Sequence, residues 1–296
     1  MEQKPETNIA VVIVLYQPRA EEVENVRRLS SCYHGAVVDN SAVPTFPDGR
    51  LNLMDYVFMG QNAGIAKAQN VGVRTCLKDG QTQYVVFLDQ DSKVDTDYPK
   101  RIVDEYERLS VSFPRLGILG PTAVDQASHD AYASKIHREQ YLSDDLYVRA
   151  KIISSGSCIP RRVLDDVGLN DERLFIDFVD SEWCWRAGSK GYLCGMSPRV
   201  TLTHHIGRRV VSLWLFRDVL SAPYRYFYRM RNYLWLARRS YVPKQWKVNE
   251  GAKFVLRFFY LPFTEEGLSS WKSLCRGFRE GMKGSGDGSG ATGRQR

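Results

Sequence analysis

Two carboxylates one residue apart give the clearest sign of chemistry in this chain. Asp89 and Asp91 follow the apolar run 85–88 (VVFL), whose β-branched and aromatic residues predict a parallel strand buried on both faces. Ligands of open α/β sheets bind beyond the carboxyl ends of strands, and crowded carboxylates suit Mg²⁺ or Mn²⁺ holding a diphosphate. The spacing therefore predicts a metal site. A solvated acidic turn is the alternative, because two aspartates at this spacing are common.

A second group of acids lies near the start of a predicted helix. Asp177, Asp180 and Glu182 precede or begin an amphipathic pattern that carries Trp183 and Trp185. Acidic side chains stabilise a helix N-terminus through its dipole. A carboxylate that faces a cleft could instead accept the proton of an attacking hydroxyl group. The residue types alone leave both interpretations open.

Two further segments offer polar groups to such a site. The segment 154–157 (SSGS) carries hydroxyl groups that suit a phosphate or a sugar. The alternating segment 199–206 (RVTLTHHI) predicts a strand that ends in two histidines. A single histidine is usually structural, but a pair at a strand end is a better candidate for completing a metal site. Of the two, His204 is preferred.

The elements that would hold these residues alternate along the chain. Apolar runs and helical spacing predict the order β, α, β, β, α, β, which favours a mostly parallel sheet with helices on both faces. The segments are 9–16, 19–30, 36–39, 54–59, 62–77 and 84–88. The second strand ends in Asp39, Asn40 and Ser41, and Asn62 is predicted to cap the second helix. Neither G-x-G-x-x-G nor G-x-x-x-x-G-K-[ST] follows the first strand, which disfavours a dinucleotide-binding or P-loop enzyme.

The later part of the chain is predicted to contain further strands and helices. Strands are expected at 116–120 and 148–154, and helices at 98–109 and 161–167. The polar segment 122–146 predicts no regular element and suits an active-site loop. Two helices are expected within 213–239, because Pro223 interrupts the pattern. A further helical region is expected over 251–282.

Size and composition narrow the class of protein. The chain has 296 residues, 43% of them hydrophobic, which is enough to bury a full core. Its six cysteines form no C-x-x-C pair or regular spacing, so free thiols in a reducing cytoplasm are expected rather than a zinc site or disulfides. The N-terminal apolar run is too short for a secretory signal, and no stretch predicts a spanning helix.

The charge is distributed unevenly. Residues 1–207 carry a net charge of −5 and residues 208–296 one of +12, so the basic charge is confined to the last third. Seventeen aromatic residues lie within 208–283. Basic side chains interleaved with aromatic rings suit an anionic membrane surface, with stacking on nucleic acid as the alternative.

Taken in order, the motifs resemble those of a known enzyme family. The segments VVIVLYQP, VVDNS, NAGIAKAQNVG, FLDQDS, SSGS, FIDFVDSEWCWR, HHIG and RYFYRMRN cover most of residues 9–232. Together they are similar to the bacterial family-2 glycosyltransferases of the GT-A fold, in the rhamnosyltransferase branch. The resemblance implies an α/β fold with a Rossmann-like, mostly parallel central sheet. It also implies a catalytic domain at 1–207, and we expect a basic aromatic helical extension at 208–283 and a flexible tail at 284–296.

The resemblance also implies roles for individual residues. Asp180 would be the catalytic base with Glu182 as its rival, since Val179 stands where the related pattern has an acid. Asp91, Asp89 and His204 would hold Mg²⁺ or Mn²⁺. The donor would contact residues at the strand ends and turns: Tyr16, Asp39, Asn40, Asn62, Gly64, Asp89, Gln90, Ser155 and Gly156. Residues on the acceptor side would be Trp183, Arg229, Arg231 and Asn232.

The implied activity is an inverting transfer of L-rhamnose from dTDP-L-rhamnose to lipopolysaccharide or another cell-surface glycan. The same fold acting on galactofuranose, glucose or N-acetylhexosamine nucleotides is the first alternative. A non-catalytic protein that binds lipid or nucleic acid is the second. The enzyme interpretation expects a lipid-linked acceptor, an anionic membrane partner and no nucleic acid. It places the protein in the cytoplasm, peripheral on the inner face of the cytoplasmic membrane.

Overall fold

The computed structural model describes residues 8–78, 80–125, 140–143, 145–204, 210–213 and 216–284. The chain divides into two compact units. Unit 1 comprises residues 1–175 and 179–207, and unit 2 comprises residues 176–178 and 208–296. The short segment 176–178 thus clusters with unit 2, although both of its chain neighbours belong to unit 1.

Unit 1 is built on one mixed sheet. Its described strands are β1 (Ile9–Leu15), β2 (His34–Asp39), β3 (Met54–Phe58), β4 (Tyr84–Asp89), β5 (Leu116–Asp125), β6 (Gln140–Ser143), β7 (Leu146–Val148), β8 (Cys158–Pro160) and β9 (Leu193–His204). Their spatial order is β3-β2-β1-β4-β8-β5-β9-β7-β6. The first four strands are parallel, as predicted, whereas β8 is antiparallel to both β4 and β5.

Helices cover both faces of this sheet, which confirms the predicted α/β class. They are α1 (Ala20–Ser30), α2 (Ile65–Cys76), α3 (Tyr98–Ser112), α4 (Arg161–Val167) and α5 (Val179–Ser189). Val11 and Ile13 of β1 belong to one buried cluster with residues of α1 and α3. Ala10 and Val12 belong to a second cluster with residues of α2, α4 and α5. Because successive side chains of β1 enter different cores, the strand must be apolar throughout.

The register of the central strands aligns their carboxyl ends. Leu15, the last residue of β1, pairs with Asp39 on one side. Val14 pairs with Asp89 on the other side. Both aspartates end their strands. The acids that follow β2 and β4 therefore flank the end of β1 at one edge of the sheet.

Unit 2 contains a hairpin and three helices among its described residues. These elements are β10 (Val210–Leu213), β11 (Phe216–Val219), α6 (Pro223–Ala237), α7 (Lys244–Tyr260) and α8 (Gly267–Met282). A small core joins the helices through Tyr226, Phe254 and Leu274. Arg257 and Glu250 form a buried ion pair on α7, with N···O at 3.0 Å. No helix in the described ranges is both long and apolar enough to cross a membrane.

Four local predictions were wrong. The segment 122–146, expected to hold no regular element, contains the end of β5, all of β6 and the first residue of β7, and its residues 126–139 and 144 lie outside the described ranges. Residues 149–157 form no strand, because the chain leaves β7 there and passes the positions of β9 and β5 to reach β8. The first of the two helices expected within 213–239 is replaced by the β10–β11 hairpin. Pro223 begins α6, where its missing N–H costs no helical hydrogen bond. The second helix, α2, has Gly64 rather than Asn62 as its N-cap.

Candidate active site

The turn after β4 directs its two aspartates differently from the glutamine between them. The Gln90 side chain accepts a hydrogen bond from the Tyr16 N–H at 2.7 Å and donates one to Glu22 at 2.9 Å. Asp89 is partly buried and Asp91 is exposed. Gln90 therefore ties the turn to the end of β1, and the carboxylate of Asp91 lies open to solvent at the carboxyl edge of the sheet.

The segment SSGS lies against this turn. Gly156 donates its N–H to the Phe87 carbonyl at 2.7 Å, and Phe87 donates to the Ser157 carbonyl at 3.0 Å. Ser92, whose hydroxyl accepts from the Asp89 N–H, lies 3.4 Å from the Ser155 hydroxyl. These contacts extend the antiparallel pairing of β8 toward the carboxyl end of β4. The hydroxyl-bearing turn is thereby held beside the acidic pair.

Asp180, in the first turn of α5, lies beside the SSGS turn and the acidic pair. Its carboxylate accepts hydrogen bonds from the side chain and backbone of Ser154, and it interacts electrostatically with Asp89. Burial and the negative charge of Asp89 raise the pKa of Asp180 to about 6. The structure thus brings together carboxylates that lie about ninety residues apart in the sequence. Their mutual repulsion makes the site receptive to a cation.

A chain of hydrogen-bonded side chains, of which Gln69 is fully buried, supports Asp180. The Gln69 side chain of α2 donates to the Ser154 hydroxyl at 3.0 Å, and the Asn170 side chain donates to the side-chain oxygen of Gln69 at 2.9 Å. Since a hydroxyl group has a single proton and accepts here from Gln69, the Ser154 proton is directed to Asp180. Sequence reasoning missed Gln69 and Asn170. The signal available was the polar Gln69 within the segment NAGIAKAQNVG.

Asp39 lies at the carboxyl edge of the sheet, as predicted, but the loop between β2 and β3 encloses its side chain. Its carboxylate accepts from the Tyr56 hydroxyl at 2.6 Å and from the backbone N–H groups of Thr45 and Ser41. Burial alone would raise the pKa of Asp39, but these hydrogen bonds outweigh it and lower the pKa. The carboxylate is fully buried. It therefore organises the loop between β2 and β3.

The Asn40 side chain links β2 to the start of α2. It donates to the Asn62 side-chain oxygen at 3.0 Å and accepts from the Ala63 N–H at 2.8 Å. The same Asn62 oxygen accepts from the Gly64 N–H. Asn62 thus stabilises the turn before the helix. Tyr16, exposed at the end of β1, stands at the same edge of the sheet.

Gly64 occupies a position that no other residue fits easily. Its φ is +85°, and a Cβ atom there would lie 2.6 Å from the Phe175 carbonyl oxygen. We expect Gly64→Ala to lower the free energy of unfolding by roughly 2–4 kcal/mol, from backbone strain together with the clash. Urea unfolding followed by circular dichroism would measure this change.

Gly80 provides the matched control for that variant. Its φ is +75°, but a Cβ atom there would meet nothing within 4 Å. Gly80→Ala carries the backbone strain alone, so its cost should be about 1 kcal/mol. Equal losses in the two variants would show that the approach of Phe175 does not constrain this turn.

Two residues predicted near the chemistry are committed to the core instead. Glu182 is 1% exposed and its carboxylate pairs with Arg186 at 2.8 Å, on the part of α5 that packs toward α4. Trp183 is 3% exposed and donates its indole N–H to the Gly168 carbonyl. Its ring has no surface to offer an acceptor. The predicted acceptor role of Trp183 is therefore not carried further.

In unit 2, the motif RYFYRMRN contacts the segment 176–178. Asn232 is fully buried and donates to the carbonyls of Ile176 and Asp177 at 2.9 and 3.1 Å. Arg225 pairs with the Asp177 carboxylate. Asp177 and Phe178 both adopt positive φ, so this strained segment is held by α6. Asn232 therefore has a structural task, whatever its relation to the acceptor.

The other two arginines predicted on the acceptor side are held within unit 2. Arg231 lies over the Trp235 ring, 4.4 Å from its centroid, and donates to Asn232. Arg229 approaches the Glu250 carboxylate at 3.8 Å. A role of Arg229 and Arg231 in acceptor binding stays a prediction.

The residues at the acidic edge fit a hard divalent cation. No group of three or more His, Cys, Asp or Glu side chains suited to a metal occurs within the described ranges. His204 ends β9, but its side chain is not described, so its proposed role as a ligand stays a prediction. Mg²⁺ and related ions usually take one or two carboxylates and complete their shell with water and substrate phosphates. Asp89 and Asp91 supply ligands of that kind.

Comparison with known proteins supports the motif-based assignment. No family model matches the chain. The dTDP-rhamnosyl transferase RfbF of Shigella flexneri is 31% identical over 260 residues, covering 82% of this chain and 84% of that protein. The crystal structure of GalNAc-T7 with UDP, GalNAc and Mn²⁺ matches with a TM-score of 0.53 at 13% identity. That match covers 93% of this chain and 56% of GalNAc-T7.

The sheet order and the structural match thus give the GT-A fold, and the similarity to the Shigella flexneri protein makes this chain a glycosyltransferase. In particular, the chain belongs to the bacterial family-2 glycosyltransferases, in the rhamnosyltransferase branch that includes the Shigella flexneri protein.

Proposed function

We propose that the chain transfers L-rhamnose from dTDP-L-rhamnose to a cell-surface glycan acceptor, with inversion at the anomeric carbon. The observation that carries this proposal is the meeting of Asp89, the Ser154–Ser155 turn and Asp180 at one edge of the sheet. The choice of donor rests on the similarity to a relative named as a dTDP-rhamnosyl transferase.

Asp180 is the proposed general base. A pKa of about 6 leaves its carboxylate ionised at neutral pH and still basic enough to take a proton from an acceptor hydroxyl group. The acceptor oxygen then forms a bond to the anomeric carbon as the bond to dTDP breaks, so one displacement inverts that centre. The pairing of Glu182 with Arg186 favours Asp180 over its rival.

The remaining donor contacts are assigned by position. Asp91 and Asp89 would hold Mg²⁺ or Mn²⁺, which supplies positive charge against the departing diphosphate, with His204 as a further proposed ligand. Tyr16 and the turn of Asn40, Asn62 and Gly64 border the proposed nucleotide site. Asp39 would contribute to the nucleotide site indirectly, because its carboxylate holds the loop that adjoins the site.

The donor is tested by a panel of sugar nucleotides. Purified protein is mixed with an acceptor glycan extract and each nucleotide in turn, and acceptor-dependent nucleotide release is measured. Release from dTDP-L-rhamnose alone supports the proposal. Release from a galactofuranose, glucose or N-acetylhexosamine nucleotide would replace the sugar but keep the fold and site. Salt-sensitive DNA binding without donor affinity would favour a non-catalytic protein.

The support of Asp180 by Gln69 gives a kinetic prediction. In Gln69→Leu the Ser154 hydroxyl loses its donor and is no longer directed to Asp180. We expect kcat to fall roughly tenfold while the KM for the donor stays unchanged. A weaker hydrogen bond to the carboxylate raises its pKa, so the acid limb of the kcat profile should move to higher pH.

An exposed glutamine gives the control for this variant. Gln83 lies at the surface just before β4, and its side chain contacts a backbone carbonyl. Gln83→Leu should leave both kcat and the pH profile as in the parent. A loss of stability in Gln69→Leu with an unmoved pH profile would mean that Gln69 serves only the packing of α2.

The acceptor is proposed to be a lipid-linked glycan or lipopolysaccharide precursor. The support is the concentration of basic and aromatic residues in the last third of the chain. On this proposal the enzyme works in the cytoplasm, peripheral on the inner face of the cytoplasmic membrane, and has no nucleic-acid partner. Mass spectrometry of surface glycans from a strain lacking the gene would identify both the sugar and its acceptor.

A further inference from the structure

An apolar stripe on α7 faces solvent. Its members are spaced by four, three and four residues, so they share one face of the helix. They are Val248, Ala252, Val255 and Phe259, all of them exposed. Val248 retains 70% and Phe259 68% of their full exposure. Single exposed apolar residues are ordinary, but an aligned set of this kind marks an interaction surface.

The apolar surface continues from α7 onto α8. The Phe258 and Trp271 rings lie 5.5 Å apart, and the Trp271 indole N–H donates to the Phe258 carbonyl. Between the two helices, Phe263 is 88% exposed. Exposed apolar residues then recur along α8 at Leu268, Phe278 and Met282. We call these residues, with the α7 stripe, the apolar surface of unit 2.

A row of cations lies beside the apolar residues of α8. Its members are also spaced by four, three and four residues: Lys272, Arg276, Arg279 and Lys283, all exposed. On a helical wheel this row adjoins the position of Leu268. The acids nearby are Glu265 and Glu266, at the turn before α8, and Glu280, which pairs with Lys283. The surface therefore combines exposed apolar side chains with positive charge.

Packing within unit 2 uses the opposite side of α7. Phe254 and the Arg257–Glu250 pair are buried there, so the stripe remains exposed among the described residues of the unit. A twofold contact buries the same face of both copies, so it would bring two cationic rows into one interface, where like charges repel. An anionic lipid surface complements both features.

We propose that the apolar surface of unit 2 inserts into the headgroup boundary of a membrane rich in anionic lipid, with the cationic row of α8 against the phosphates. This inference deepens the proposed function, because it identifies which residues would bring the enzyme to a lipid-linked acceptor. The proposed function explains why the enzyme would bind a membrane, but membrane binding itself does not depend on which sugar is transferred. Vesicle binding is measured separately from sugar transfer.

The test is flotation of the full chain with vesicles. We expect binding to vesicles containing about 30% phosphatidylglycerol and little binding to phosphatidylcholine alone, with partial release in roughly 0.5 M salt. The double variant Phe259→Ser with Phe263→Ser should weaken partitioning roughly a hundredfold. Lys272→Glu with Arg276→Glu should remove the preference for anionic lipid.

A control variant tests whether vesicle binding depends on the apolar surface of unit 2 or on any exposed apolar side chain. Val111 of α3, in unit 1, is 82% exposed, so Val111→Ser should bind vesicles like the parent. Donor affinity should be unchanged in all these variants, which separates failure of this inference from failure of the proposed function. Unchanged flotation of the phenylalanine variant would overturn the inference. So would a parent dimer that this variant converts to a monomer without any vesicle binding.

Discussion

Asp180→Asn is expected to lower the rate of sugar transfer by a factor of about 10²–10⁴, which is the usual contribution of a general base. Asparagine keeps the shape of the side chain but cannot accept the proton of the acceptor hydroxyl. Donor binding, which needs no proton transfer, should remain close to that of the parent. Turnover is measured with saturating donor and acceptor, and donor affinity by calorimetry.

The same substitution should make the free protein more stable. Burial and the charge of Asp89 raise the folded-state pKa of Asp180 from 3.8 to about 6, so ionised Asp180 destabilises the folded state. This penalty is full above about pH 6, shrinks as the pH falls, and vanishes well below pH 3.8, where the carboxyl is protonated in both states. Removing it should add about 1–3 kcal/mol at pH 7.5, a rise of a few degrees in Tm.

A charge-neutralising change elsewhere provides the control. Asp104 lies on the exposed side of α3 and pairs with Lys100, so Asp104→Asn should alter neither turnover nor, by more than about 0.5 kcal/mol, stability. More than a tenth of parental transfer in Asp180→Asn would remove the base from this position. Glu182 would then have to be reconsidered. Loss of both transfer and stability would point to a structural role instead.

Asp91→Ala is expected to abolish the dependence of donor binding on a divalent cation. Asp91 is the exposed member of the acidic pair, and a metal held there would neutralise the diphosphate. In the parent, dTDP-L-rhamnose should bind about a hundredfold more tightly with Mn²⁺ than in chelator, which corresponds to about 2.7 kcal/mol. In the variant the two affinities should converge on the weaker value.

A nearby aspartate tests whether the effect is local. Asp95 follows four residues later, and its side chain is 87% exposed and lies 3.7 Å from Arg101. Asp95→Ala should retain the full Mn²⁺ effect. Equal donor affinity of the parent protein in Mn²⁺ and in chelator would undo the metal assignment at Asp91. It would leave the proposed base at Asp180 to be judged on its own measurement.

Helix geometry separates the two acids that the sequence left as rivals. Asp180 and Glu182 are two residues apart on α5, and such residues lie roughly 200° apart around a helix. One side chain meets Ser154 and the acidic edge, while the other is buried beside Arg186. Sequence reasoning could place both at the start of the helix. It could not show which face of the helix packs toward the sheet.

The hairpin of unit 2 shows a similar limit. The segment 210–219 is rich in valine, leucine and aromatic residues, which suit a strand or a helix equally when the run is short. Its pairing of Val210 with Val219 is a relation between two segments. A helical interpretation was therefore open until the partner strand was seen, whereas the role of Pro223 as a helix start follows from its ring alone.

The sequence by itself determined the local features: apolar runs long enough to be buried strands, polar residues at their ends, and the ordered motifs of the glycosyltransferase family. These follow from the chemistry of neighbouring residues. Only the tertiary structure decided which ends meet. The order of the strands sets Asp39 and Asp89 on either side of β1, inserts antiparallel β8 beside β4, and brings Gln69 and Ser154 to Asp180. The physical reason is that sheet order and helix rotation are set by how all the apolar faces pack together, a sum over distant residues that no single segment contains.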